Sequence, residues 1–202
     1  MASQSWWQEI ASLPTAGTLY NTFTTAKSLL TSATATSASD AFITLPPSFF
    51  RIGGMLQVEA VLGISNIVTT PGTMNFQVKV GSVIAFDTGA IVLTTTAHTT
   101  IPLYIKILLT CRAVGNGTLA NLMGQAVITG RMVQIAASTA AADSTTGGST
   151  CNYPDTAPAV GTGFDNTVAN TLDFFGGFSI SNAGNGMQLQ QYAVTSRGNS
   201  AP

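Results

Sequence analysis

One imidazole, two thiols, three lysine amines and eight carboxylates are the reactive side chains that this 202-residue sequence offers besides its hydroxyls. A catalytic triad needs a nucleophile, a base and an orienting group in contact. The one imidazole, His98, lies in the polar run Thr94–Thr100 and reads as a solvated or interface histidine rather than a base. Cys111 sits in an apolar, strand-like run, where a buried reduced thiol is the ordinary outcome, and Cys151 follows the loop-like Gly147–Thr150. A disulfide between them is open on sequence grounds, although a reducing cytosol disfavours it. Two cysteines and one histidine leave a structural zinc site one ligand short, so no metal is expected.

Paired carboxylates could hydrolyse a glycosidic bond, and Glu59, Asp87, Asp165 and Asp173 are the candidates. Glu59 and Asp173 fall at outward positions of expected strands, and turn acids such as Asp87 usually bond their own backbone. All four are therefore read as surface groups. Gly161–Gly163 and Gly184–Gly186 are followed neither by a helical pattern nor by Lys-Ser or Lys-Thr, so they read as turns and not as phosphate cradles. The expectation is a protein that is not an enzyme and needs no cofactor. Neither a metal site nor a clustered acid–aromatic pocket for sugar recognition is visible along the chain.

The composition narrows the partners. Charged residues make up 7% of the chain, against roughly 25% in an average soluble protein, and the net charge is -1. A basic nucleic-acid patch is excluded on that count. Hydrophobic residues make up 45% and mean hydropathy is +0.34, enough for a core. No run approaches the roughly 18 apolar residues of a spanning helix, and Met1–Leu13 lacks the positive start of a secretory peptide. Neither nucleic acid nor membrane is an expected partner. So little charge gives copies weak mutual repulsion, which favours assembly, with a homotrimer as the expectation.

These residues must be held by strands. Leu56, Val58, Ala60 and Leu62 alternate with Gln57 and Glu59, and Phe76, Val78 and Val80 alternate with Gln77 and Lys79. With the turn Thr69–Thr73 between them, the two runs are expected to pair as an antiparallel hairpin. Val83–Phe86 and Ala90–Leu93 read as short strands around the turn Asp87–Gly89. Tyr104–Val114 and Leu119–Ile135 read as a long hairpin turning at Gly115–Gly117, with Gly124 and Gly130 as bends. Val168–Ile180 and Met187–Val194 read as a further pair. Ala136–Gly163 is an expected excursion, longer than a routine hairpin loop. Ser5–Ile10 could be a short helix or a docking peptide. The chain is thus expected to be all-β, an antiparallel, jelly-roll-like β-sandwich over residues 41–202. Residues 1–40 would form an N-terminal arm with the first strand or strands, leaving the sandwich to pack on a neighbour.

The aromatic residues are the strongest sign of function. Trp6 and Trp7, Phe49 and Phe50, and Phe174 and Phe175 form doublets, with Phe178 near the last. Neighbours in a strand face opposite sides, so Phe174 and Phe175 cannot share one core and one of them needs a second partner. All seven are candidate interface residues, since aromatics are enriched where subunits meet.

Several stretches carry a resemblance. Thr44–Gly53 (TLPPSFFRIG), Thr69–Thr73, Ile107–Gly115 (ILLTCRAVG), Asn121–Gln125, Ala157–Asp165 and Met187–Tyr192 together resemble small virion structural proteins of tailed bacteriophages. The resemblance spans most of Thr44–Arg197 and implies a jelly-roll-like subunit of the particle, assembled in the host cytoplasm, with no catalytic residues. The role expected first is capsid decoration, cementing the head by burying apolar surface across the major capsid protein. The alternative is a tail, fibre or neck component that binds a host-surface glycan.

Overall fold

A computed structural model describes residues 7–13, 15–31, 43–131 and 149–199, and among these the chain forms strands and no helix. The early strands are β1 (Trp7–Ser12), β2 (Tyr20–Asn21), β3 (Lys27–Ser28) and β4 (Ile43–Leu45). Then come β5 (Met55–Asn66), β6 (Thr73–Val80), β7 (Val83–Asp87) and β8 (Ile91–Val92). The chain continues through β9 (His98–Ala113), β10 (Asn121–Gly130), β11 (Ser149–Tyr153), β12 (Asn170–Phe178) and β13 (Gly186–Arg197).

The strands build two antiparallel sheets. The larger has the order β1-β13-β5-β9-β10-β11, with β2 also on β13. The smaller has the order β3-β12-β6-β7, with β4 on β12 and β8 on β6. Alternation decides which side chains point inward. Along β5, Leu56, Val58, Ala60, Leu62 and Ile64 are buried while Gln57, Glu59 and Val61 stay half-exposed. Along β9, Leu103, Ile105, Ile107, Leu109 and Cys111 are buried and Tyr104 and Leu108 face out. The inward rows of both sheets meet in one core, as two half-wet sheets require.

The expected all-β sandwich and the long β9–β10 hairpin are present, but two expected pairings are not. β5 pairs with β13 and β9, while β6 pairs with β12, β7 and β8 in the other sheet. β12 and β13 are likewise split between the sheets. Each connection crosses the sandwich, so the apolar faces of consecutive strands meet through the core instead of lying side by side. Alternation is the same in either arrangement, so it does not distinguish a sheet neighbour from a strand across the core.

The N-terminal region is also more integrated than an arm. β1 is an edge strand on β13, from Trp7 opposite Arg197 to Ser12 opposite Ala193. Phe23, Leu29 and Leu30 are core residues. The described part of residues 1–40 therefore packs on its own sandwich, and the short-helix alternative gives way to a strand from Trp7 onward. Of the expected excursion over 136–163, residues 136–148 lie outside the described residues. Ser149–Tyr153 forms β11 against β10, and Val160 and Phe164 bridge to Met123 and Ala120. Gly124 marks a close approach between the sheets on this side: a Cβ there would clash with the Phe86 ring.

Candidate functional site

The seven aromatic candidates divide sharply. Phe49, Phe50, Phe174 and Phe178 are at most 3% exposed. Phe49 packs edge-on against Phe50, and Phe50 against Phe164. The side chain of buried Asn166 accepts from the Phe50 N–H and donates to its carbonyl, both at 3.1 Å. Phe174 stacks on Phe76, and Phe178 meets Phe23 edge-on. These four fill the chain's own core and keep almost no surface for a partner, which corrects their reading as interface residues. Phe175 does face the other way from Phe174, as alternation requires. Its second partner is Lys79, whose Nζ lies 3.7 Å from the ring centre. Trp6 lies outside the described residues. Trp7 is 57% exposed, with the Arg197 guanidinium 4.0 Å from its ring centre.

The carboxylates do not gather. Asp173 lies on the smaller sheet, accepting from Ser28 Oγ at 2.8 Å and from the Phe174 N–H at 2.7 Å. Asp87 accepts from the Gly89 N–H and from Gln77 Nε2. Asp165 accepts from the Thr167 hydroxyl and N–H, and these bonds together with one from the Gly117 backbone, the Thr167 hydroxyl's first, hold its carboxyl below the ordinary value. Both are turn acids closing their own loops. His98 begins β9 opposite Asn66. Cys111 and Cys151 lie on β9 and β11, kept apart by β10, and are not bonded to each other. Burial pushes both thiols above their ordinary value, the reverse of what a nucleophile needs. No cluster of three or more His, Cys, Asp or Glu side chains occurs among the described residues.

Glu59 is different, because the larger sheet surrounds it with partners from its outer face. Register places Glu59 of β5 between Lys106 of β9 and Ala193 of β13. The row on one side holds Thr195, Gln57, Leu108 and Gln125, and the row on the other holds Gln191, Val61, Tyr104 and Thr129. Gln57 Nε2 donates to Glu59 Oε1 at 2.9 Å, the Tyr104 hydroxyl donates to the same oxygen at 3.2 Å, and Lys106 Nζ lies 3.6 Å from it. Burial, the Glu59 charge and the hydrogen bond to Glu59, in that order, raise the Tyr104 phenol above its ordinary value, so it remains a donor.

Two shallow grooves flank this row. One, of about 180 Å³, is lined by Trp7, Met55, Gln57, Lys106, Leu108 and Arg197 among others. The other, of about 160 Å³, runs past Glu59, Val61, Tyr104 and Gln191. From the Met55 row to the Val61 row the face extends roughly 20 Å at the usual rise per residue of a strand. An acid, an amide, an ammonium and two aromatic rings thus share one open face. The pairing of β5 with both β9 and β13 assembles it from residues far apart in sequence. The expectation that no acid–aromatic cluster exists is corrected here. The one local signal was the placement of Gln57 and Glu59 on the wet side of their strand.

No family model matches the chain, and no curated protein matches it. Among solved structures the chain is similar to the CBM2 module of the evolved Dit of Lactobacillus casei BL23 phage J-1, at 10% identity, covering 99% of this chain and 100% of that one. The TM-score is 0.35. The assignment of an all-β sandwich rests on the two sheets described above.

Proposed function

We propose that the chain is a non-enzymatic structural protein of a tailed-phage particle, serving in its tail or fibre region to bind a host-surface glycan through the outer face of the larger sheet. The particle context comes from the resemblance of Thr44–Arg197 to small phage structural proteins. The observation that carries the binding role is the convergence of Gln57, Tyr104 and Lys106 on one oxygen of Glu59, with exposed Trp7 farther along the same face in the groove that Gln57 and Lys106 also line. This network contributes little to stability. The Glu59 and Lys106 side chains are 39% and 38% exposed, and such surface pairs are worth at most about 1 kcal/mol. A pre-oriented polar cluster that does little for the fold is suited to a ligand.

Capsid decoration is the second reading, favoured by a different part of the molecule. Ile52, Val114, Leu119 and Val168 are all at least 40% exposed in loops at one end of the sandwich. The loops are tied together there: the Gly53 N–H donates to Cys111 O, and the Asn166 N–H to Gly115 O. Apolar loop tips of this kind could seat on a capsid lattice.

The two readings separate when particles with and without the chain are compared for host adsorption and for thermal rupture. Lost adsorption with unchanged rupture supports the glycan-binding role. Unchanged adsorption with rupture at lower temperature overturns it in favour of decoration.

A further inference from the structure

We infer that the Glu59 face binds a neutral, hydroxyl-rich saccharide, with the second oxygen of Glu59 as its central acceptor. This rests on the glycan-binding reading above and specifies the ligand class and the residue that selects it. Gln57 and Tyr104 donate hydrogen bonds to Oε1, and Lys106 Nζ forms an ion pair with the same oxygen at 3.6 Å. Oε2 takes no donor from the described residues, yet three contacts to its sister oxygen fix the carboxylate in place.

An ionised carboxylate oxygen is a strong acceptor with no hydrogen to offer, so it selects ligands that present O–H or N–H groups. A neutral sugar presents several hydroxyl donors along one edge. An acidic sugar would bring a second carboxylate toward Glu59 and meet repulsion there, and the two cations of the face are already engaged, Lys106 with Glu59 and Arg197 over the Trp7 ring. The surroundings fit the rest of a pyranose. Lys106 Nζ supplies donors, the Gln57 side-chain carbonyl supplies another acceptor, and Val61 and the Tyr104 ring supply apolar surface for its C–H faces, while Leu108 and Trp7 in the neighbouring groove offer the same to a further sugar unit. Aromatic side chains with one polar tip favour such mixed surfaces. Binding of this kind is set by hydrogen bonding and contact, so it should depend weakly on salt.

The experiment uses the purified full chain on an array of neutral and acidic oligosaccharides, followed by titration of the strongest neutral hit at low and high salt. Wild-type protein should retain at least one neutral class. Glu59→Gln should weaken that binding about tenfold or more, because the charge-assisted acceptor is lost. Tyr104→Phe should weaken it less, since it removes one of three contacts that hold Glu59 in place. Asp173→Asn, on the opposite sheet, should leave it unchanged. Equal thermal unfolding temperatures among the variants assign the loss to the site and not to the fold. No binding to neutral glycans, retention of acidic glycans alone, or wild-type affinity in Glu59→Gln each overturns the inference. If the array outcome overturns it while particles still need the chain to adsorb, the glycan class is wrong and the adhesion role stands. If particles lacking the chain adsorb normally, the adhesion role fails whatever the array reads.

Discussion

The Phe174 ring on β12 stacks against the Tyr192 ring on β13, with centroids 6.0 Å apart and planes 23° from parallel. The two strands belong to different sheets, so this contact spans the core from one layer to the other. Phe174 also stacks on Phe76 at 5.8 Å, which joins β6 to the same column. Phe175, next in sequence, takes no part in the column and lies under Lys79 on the outer face.

Neighbouring phenylalanines should therefore differ greatly in their contribution to stability. Phe174→Ala should destabilise the fold by about 3–5 kcal/mol, because it opens a cavity between two ring partners. Phe175→Ala should cost about 1 kcal/mol, chiefly the loss of the cation–π contact and some half-exposed area. Urea unfolding of both variants checks the contrast, and similar losses would contradict the assigned faces.

Gly124 should tolerate no side chain. A Cβ at this position would overlap Phe86 Cδ2 and lie 2.9 Å from Leu109 Cδ2, both in a packed interior. Gly124→Ala should lower stability by about 1–3 kcal/mol through overpacking. The double variant Gly124→Ala with Phe86→Leu should recover part of that loss. Thermal unfolding of the two variants measures both effects.

Alkaline pH should weaken the fold through buried phenols. Burial, with smaller contributions from Cys151 and Asp155, pushes the Tyr153 phenol from 10.0 up to about 12. Burial also raises Tyr192, with Asp173 adding to the effect. Between the two values the unfolded chain has lost the Tyr153 proton and the folded chain has kept it, so stability falls as pH rises. The contribution is whole below pH 10 and declines as pH climbs through about 12. Denaturant midpoints over that range, with phenolate absorbance followed in parallel, test it, and Tyr153→Phe should flatten the decline.

The protein should associate in solution, with a trimer as the expected species. The basis is the 7% charged composition together with exposed Ile52, Val114 and Leu119. Light scattering at micromolar concentration decides it, and a strict monomer in solution and in particles would contradict it.

Much of the fold could be read from the sequence, because alternation is a property of each strand by itself. The inward rows Leu56–Ile64 and Leu103–Cys111, the hairpin between β9 and β10, and the opposite facing of Phe174 and Phe175 all follow from the two-residue period. What that period cannot encode is which strand lies beside which. A run with one apolar face is satisfied equally by a neighbour in its own sheet or by a strand across the core, so the split of β5 from β6 and of β12 from β13 was decided by tertiary packing. The fate of the aromatics was decided the same way. Phe50 found Phe164 and Asn166 more than a hundred residues away, with Phe49 packed on Phe50, and so both became core. The site followed from those pairings. Glu59 meets Gln57 two residues along its own strand, but Tyr104 and Lys106 reach it because β9 lies beside β5, while Trp7 reaches the groove next to it through β1 and β13. Composition and period determined that this chain folds as a sandwich with one wet face per sheet. The order of strands within the larger sheet determined which side chains that face gathers.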